Sequence, residues 1–386
     1  MSSRVAAGIS FELTSEQREL RDLAHEFAAK ELRPIAREWD EREDSPPELL
    51  GKAAALGLTA HAIPAEYGGG GASAVTSSLI AEELSWGCAG LSAPIGATMF
   101  PVRPLLRSGS EEQKQRWLPR LASEEGCLAA IAFTEPGAGS DVMGIQATAR
   151  FDGDEIVLSG EKCYVTNGGI AELTIVFAKL EGAITAFLVE SGDSGVSAGR
   201  KEPKLGLRAS YTGSILLDQA RIPTDRLLGE AGEGFAIAID FFTHSRPQVA
   251  ASALGIARAA FEYATSYANE RYAFGKPLIA KQGVSFKLAD MAMQVEAARL
   301  LVWRAAAALD AADGPSEEAG LLGSYAKAFA ADAAMSITTD AVQVLGGAGI
   351  MRDHPVEKWM RDAKVLQIVE GTSEIQRHVI VQYLSH

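Results

Sequence analysis

An α+β multidomain fold is predicted by three changes of texture along the chain. A helical pattern runs to about residue 125, a series of short strands follows, and long alanine-rich helical stretches occupy the rest. Apolar residues recurring at three and four positions mark the outer regions, and short β-type runs between turn residues mark the middle. The expected parts are an N-terminal α-helical domain over 1–125, a middle β-domain over 126–233 and a C-terminal helical bundle over 234–386. No helix intervenes between the middle strands. That argues for a small barrel or sandwich, not a parallel nucleotide-binding sheet.

In the first region Thr14 opens a T-x-x-Q capping box with Gln17, and Leu20, Leu23, Ala24 and Phe27 follow at helical spacing. Pro34, Pro46, Pro47, Pro101, Pro104 and the glycines at 68–71 punctuate further helices, such as 76–86. Those glycines read as a surface loop, because no phosphate-loop lysine follows them. In the middle region strands are expected at 128–133, 147–151, 156–159, 173–178 and 183–189. Asp152-Gly153 and Asn167-Gly168-Gly169 supply turn chemistry between them. In the last region 250–267, 282–312 and 320–345 are long enough for bundle helices, and a final helix is expected over 372–383.

The 386 residues carry 36 Lys+Arg against 50 Asp+Glu, a net charge of −14. Such an excess of negative charge opposes binding to nucleic acid or to anionic membranes. With 47% hydrophobic residues and no uninterrupted apolar run of membrane-helix length, the composition is that of a globular protein. Residues 1–8 lack an apolar stretch long enough for secretion, and Cys88, Cys127 and Cys163 have neither metal-ligand nor redox spacing. Free thiols in a reducing compartment follow, and the cytoplasm is the expected location. The six histidines are scattered without ligand spacing, so no metal is expected. A G-x-G-x-x-G fingerprint, a phosphate loop, an H-E-x-x-H motif and a G-x-S-x-G elbow are all missing.

Two segments stand out. Phe133-Thr134-Glu135-Pro136-Gly137-Ala138-Gly139-Ser140-Asp141 is a strand breaking into a turn rich in glycine and small hydroxyls. It suits a polar ring edge or a phosphate, although composition alone favours an ordinary barrel loop. Near the C-terminus, Glu370 follows an apolar run (Val365, Leu366, Ile368, Val369) and precedes a Gly-Thr helix start. A carboxylate there is either a partly desolvated base or a solvated residue before a cap.

Together these segments resemble the paired signatures of the acyl-CoA dehydrogenase family, in particular its medium-chain and short-chain members. The resemblance runs from Phe11 to Tyr383 and includes Val165-Thr166-Asn167-Gly168-Gly169, Glu270-Arg271 with Phe274-Gly275, Gln282, and the stretch from Pro355-Val356-Glu357 to Asp362-Ala363-Lys364. It implies a middle domain of two orthogonal sheets, a C-terminal four-helix bundle, and FAD held between them and a neighbouring subunit. On that basis Ile131, Phe133, Thr134, Gly139 and Ser140 would line the flavin, with Tyr164, Val165 and Thr166 against its ring. Arg271 would reach the pyrophosphate of the partner's FAD, near Phe274. Gln282, Gln343, Gly346 and Gly347 would bind the adenosine half, while Thr372 and Glu374 complete the dinucleotide site.

Glu370 matches the family's base, which removes an α-proton while hydride leaves the β-carbon for the flavin. Its backbone N–H and a ribityl hydroxyl would stabilise the developing enolate. Gly371 would keep the thioester uncrowded, and Ser140, Thr243 and Arg246 would lie on the substrate side. Some relatives carry the base instead at the position of Ser245, which cannot do that work at neutral pH. Three departures accompany the match. Tyr164 stands where the family has Trp, Thr243 where it has Asp, and the loop at 179–182 is short. The last two leave open a thioester carried by an acyl-carrier protein. The expected partners are an acyl thioester, an electron-transferring flavoprotein as acceptor, and further copies of the chain in a tetramer. An oxygen-using acyl-CoA oxidase is the alternative enzyme, and a scaffold without catalysis is the alternative from another class.

Overall fold

Six α-helices open the described part of the chain: α1 (Ser15–Phe27), α2 (Ala36–Arg42), α3 (Leu49–Ala55), α4 (Ala74–Thr98), α5 (Val102–Ser108) and α6 (Glu111–Leu121). The computed structural model describes residues 12–312, 314 and 316–385, so expectations resting on residues 1–8, Phe11 and His386 lie outside it. The Thr14–Gln17 capping box forms as expected: Thr14 Oγ1 accepts from the Gln17 N–H at 3.1 Å, and Gln17 returns the bond at 2.9 Å. The helix expected over 76–86 is part of the longer α4, which kinks at Cys88 (φ −164°, ψ 110°).

Eight strands follow: β1 (Ala129–Ala132), β2 (Thr148–Asp152), β3 (Glu155–Thr166), β4 (Leu173–Leu180), β5 (Ala183–Glu190), β6 (Val196–Lys201), β7 (Thr212–Pro223) and β8 (Leu227–Leu228). All five expected strands are present; β6, β7 and β8 are additional. The ladders join them along one path, β6-β7-β3-β2-β4-β5-β8, with β1 beside β4. The two expected sheets are therefore linked in one hydrogen-bonded system. The link is a short parallel pairing, Thr148 with Lys179 and Ala149 with Leu180. β1 also runs parallel to β4, so the domain is mixed and not purely antiparallel.

The C-terminal part contains α7 (Gly234–Glu270), the hairpin β9 (Tyr272–Ala273) and β10 (Lys276–Pro277), α8 (Gln282–Asp310), α9 (Glu317–Leu345), α10 (Val356–Leu366) and α11 (Ser373–Leu384). Helices α7, α8 and α9 pack on one another, and α11 lies against α9. Their contacting faces are largely alanine, including Ala250, Ala257, Ala264, Ala298, Ala326 and Ala334, which lets the axes approach closely. Leu207 and Ala89 join this core, tying the sheet domain and α4 to the bundle. Among the described residues no helix is long and apolar enough to cross a membrane.

Candidate active site

Glu370 sits in the turn between α10 and α11 with φ +54°, followed by Gly371 at +88°. Two consecutive left-handed residues reverse the chain sharply, and only the glycine adopts that region freely. A Cβ on Gly371 would stand 2.6 Å from Gln376 Nε2. Glycine is thus required first by the turn itself, before any crowding of a thioester. The buried Gln376 amide donates to the carbonyls of Glu370 (3.2 Å) and Gly371 (3.1 Å). Lys327 Nζ, from the middle of α9, also donates to the Gly371 carbonyl at 2.6 Å.

The carboxylate itself meets α7. Ser245 Oγ donates to Glu370 Oε2 at 2.9 Å, so the expected base and the hydroxyl at position 245 meet at one point. Burial pushes the Glu370 pKa above the ordinary carboxylate range, opposed by the Ser245 hydroxyl and the charges of Lys327 and Arg246. Arg246 is buried, donates to Ser324 Oγ at 3.2 Å, and keeps an Nε without a partner among the described residues. Burial lowers its pKa as well. Thr243, two residues before Ser245 on α7, spends its hydroxyl on the Ile239 carbonyl at 2.9 Å.

The loop after β1 reaches the same place. The Phe133 and Phe242 rings are 6.2 Å apart, which sets the end of β1 beside the residue preceding Thr243. The loop is anchored from within: the Glu135 carboxylate accepts from Lys162 Nζ (2.6 Å), the Ala147 N–H (2.9 Å) and the Gln146 N–H. Lys162 also donates to the Phe133 carbonyl at 3.0 Å. Burial would raise the Glu135 pKa, but these donors outweigh it and hold the carboxyl below its usual range. Gly139 and Ser140 remain exposed at the loop's tip and Thr134 is half-buried.

On the neighbouring strand a register shift between Lys162 and Val165 inserts one extra residue into β3. Tyr164 occupies this bulge at φ +57° and is 67% exposed. The alternation corrects part of the expected flavin surface. Tyr164 and Thr166 are accessible, but the Val165 side chain lies in the sheet core and Phe133 in the core against Phe177. Ile131 is half-buried against that same core. Of Val165 and Phe133, only the backbone is left to face a ring.

The remaining expected residues gather at the far end of the bundle. The α8–α9 pair is antiparallel, and the Lys287–Asp340 bridge (2.6 Å) fixes Gln282 and Gln343 at one end. Arg271 follows α7 at that end; it is exposed, and among the described residues its guanidinium has no ion-pair partner. Phe274 and Gly275 form the two-residue tip of the β9–β10 hairpin with φ of +52° and +73°, and Phe274 is 96% exposed. Gly346 and Gly347 present open backbone, since a Cβ on either would meet nothing within 4 Å. Thr372, close to Glu370, caps α11 by accepting from the Ile375 N–H at 3.2 Å. Glu374 is exposed in the first turn of α11.

An unpaired guanidinium, open glycine backbone and an exposed aromatic suit a dinucleotide's phosphates and rings. Near Glu370, the hydroxyl-bearing loop and Tyr164 suit an isoalloxazine. Helices, a mixed sheet and a helical bundle, with a half-buried carboxylate turn where the last two meet, define a flavin-dependent dehydrogenase. Models of the acyl-CoA dehydrogenase N-terminal, middle and C-terminal domains match residues 14–125, 130–220 and 232–384. An acyl-CoA dehydrogenase of Bacillus subtilis (strain 168) is 43% identical over 382 residues, covering 96% of this chain and 98% of that one. The butyryl-CoA dehydrogenase of Megasphaera elsdenii superposes with a TM-score of 0.94 at 40% identity, covering 98% of this chain and all of that one. The prolyl acyl carrier protein oxidase AnaB reaches 0.92 at 30% identity, with 97% and 100% coverage. The chain belongs to the acyl-CoA dehydrogenase family and is an FAD-dependent oxidoreductase.

Sequence reasoning found Glu370 and the glycine-rich loop but missed Lys327 and the Lys162–Glu135 pair. In hindsight the signal for Lys327 is a charge inside an apolar run, Ala326-Lys327-Ala328-Phe329 on α9, whereas Lys162 follows Gly160-Glu161 and carries no such signal.

Proposed function

We propose that this chain converts an acyl-CoA thioester to its 2,3-enoyl form, with the Glu370 carboxylate taking the α-proton. The observation that carries this reading is the meeting of Glu370 with Ser245 beside the loop that follows β1. FAD, when bound, accepts the β-hydrogen as hydride. Residues 131–140, Tyr164 and Thr166 hold its flavin half, and Arg271, Phe274, Gln282, Gln343, Gly346 and Gly347 of a neighbouring subunit hold the other. Thr372 and Glu374 complete that site, the latter toward a ribose or adenine donor, since a carboxylate repels phosphate.

A hydrogen α to a thioester is a weak acid, so the site needs a base that is ionised yet poorly solvated. Glu370 meets both demands: burial strengthens it as a base, while Ser245, Lys327 and Arg246 favour its charged form. Among the described residues its backbone N–H has no partner, leaving it free to donate to the thioester carbonyl as negative charge develops there. Arg246, Thr243, Ser140 and Gly371 border the path of the thioester.

Electrons leave to an electron-transferring flavoprotein, with the exposed Tyr164 marking the accessible edge of the flavin site. NAD has no binding fingerprint in the sequence, and rapid turnover with NAD alone would contradict this acceptor. Oxygen uptake without added acceptor would instead identify an oxidase. The β4–β5 turn is only Glu181-Gly182, tighter than the sequence suggests, and Thr243 is already bonded, so contacts to free CoA are reduced on this side. These features favour a carrier-bound thioester as the second reading. The net charge of −14 argues for CoA, because carrier proteins dock through an acidic helix.

The test is anaerobic mixing of the FAD-loaded enzyme with butyryl-CoA, longer acyl-CoAs and the same acyl groups on carrier protein, following flavin bleaching. Glu370→Gln should fold and hold FAD, yet reduce its flavin at least about a thousandfold more slowly, near the top of the range for losing a general base. Bleaching at wild-type speed in that variant would place the base elsewhere.

A further inference from the structure

Three lysines are buried among the described residues: Lys162, Lys327 and Lys358. Two of them pair with a buried carboxylate, Lys162 with Glu135 at 2.6 Å and Lys358 with Asp362 at 2.5 Å. Lys327 has no such contact. Among the described residues its ammonium donates to one acceptor, the Gly371 carbonyl, although the side chain is 0% exposed. A buried cation without a contact carboxylate is the costly arrangement, and a lysine serving only the fold is normally paired.

We propose that Lys327 is the positioning residue of the proton-accepting turn, clamping the Gly371 carbonyl and presenting its ammonium charge to the Glu370 carboxylate. The proposal rests on Glu370 being the base. The clamp acts where the backbone is least able to hold itself, at two successive residues with φ of +54° and +88°. Gln376 supports the same carbonyl from α11, so the turn is gripped from two helices.

The charges around the pair leave Glu370 as the natural counterpart. Glu370 faces Ser245 and Arg246 from α7 and Lys327 from α9. Lys327 faces Glu370, Asp332 on its own helix, Arg246, and Glu374 on α11. Asp332 is already committed to Gln367 (2.7 Å), Ser373 (2.9 Å) and Arg377 (2.6 Å). Glu374 is exposed to solvent. Burial draws the Lys327 pKa down to about 8, against the pull of Glu370, so the ammonium is still charged at neutral pH. Because that charge favours the carboxylate form of Glu370, removing it raises the pKa of the base. The acid limb of the pH–rate profile then moves to higher pH.

The experiment measures flavin reduction by butyryl-CoA against pH in the FAD-loaded enzyme and four variants. Lys327→Met removes donor and charge, Lys327→Gln keeps a donor, Lys327→Arg keeps the charge, and Glu370→Gln tests the base. The acid limb should rise by about one pH unit in the Met and Gln variants, a tenfold slowing below it, and return in the Arg variant. Only the Met variant should also lose rate on the plateau, because only there does the Gly371 carbonyl lose its donor from α9 and depend on Gln376 alone. An unchanged limb in both Met and Gln variants, with Glu370→Gln inactive, overturns the role of Lys327 alone. A fast Glu370→Gln enzyme overturns the assignment of the base. If neither Met nor Gln variant retains FAD as a folded protein, Lys327 is a structural residue and the proposal fails.

Discussion

Ser245 and Gly371 control how Glu370 sits, and each can be changed without touching the carboxylate. Ser245 donates to Glu370 Oε2 and so favours its charged form. A hydrogen bond to a charged group is worth about 1.5–3 kcal/mol, and each 1.4 kcal/mol or so is one pKa unit. Ser245→Ala should therefore raise the pKa of the base and move the acid limb of flavin reduction upward by about one pH unit. The sign is fixed, because the lost bond stabilises the ionised form only. A profile unchanged in position would show that the bond does not form when substrate is bound. Gly371→Ala forces a side chain into φ +88° and against Gln376. A residue held in that region costs about 1–3 kcal/mol, so calorimetry should find a lower Tm together with slower flavin reduction and retained FAD. A variant as stable and as fast as the wild type would mean that the turn relaxes freely.

At the scale of elements, the loop after β1 owes its position to a buried ion pair between its own Glu135 and Lys162 of β3. Lys162 is 0% exposed and Glu135 6% exposed, and between them they hold the Phe133 carbonyl and the N–H groups of Gln146 and Ala147. Lys162→Met leaves a buried carboxylate with backbone donors alone, a change that typically costs about 3–5 kcal/mol. Thermal unfolding should shift accordingly, and FAD should be lost on dialysis because Thr134, Gly139 and Ser140 lose their support. Unchanged FAD retention would separate this pair from the flavin site. Such pairs explain which parts of the molecule could be read in advance. Strands β1 to β5 and the bundle helices carry their own apolar periodicity. The edge strand β6 is mostly exposed and polar, and β7 mixes Asp218, Gln219 and Arg221 into its outer face, so neither announces itself. Glu370 was legible through its surrounding motif, whereas the Ser245–Glu370 contact joins residues 125 apart and the Lys327–Gly371 contact residues 44 apart, which only packing brings together.

At the scale of the whole molecule, the FAD site proposed above draws on residues from both ends of the bundle. Arg271 lies 25 residues beyond Arg246 on α7, about 37 Å at 1.5 Å per residue, while Ser245 and Glu370 stay at the near end. Yet Phe274 is exposed, with only Lys281 over its ring at 5.4 Å, and Arg271 is exposed with no ion-pair partner among the described residues, as residues serving a second molecule would be. The arrangement is satisfied if each chain's Arg271 serves the FAD whose flavin lies beside its partner's Glu370, which a two-fold dimer achieves twice. Arg271→Ala should then weaken FAD binding through loss of charge-assisted bonds worth about 1.5–3 kcal/mol each. More decisively, Arg271→Ala and Glu370→Gln should rescue one another. In a mixed dimer the chain with intact Glu370 holds its FAD through the other chain's intact Arg271, so one site of the two is whole. Random reassembly of equal amounts should recover about a quarter of wild-type flavin reduction, although each parent alone is defective. Mass measurement would establish that mixed dimers form. If they form and no activity returns, Arg271 acts within its own chain, and the shared site is wrong.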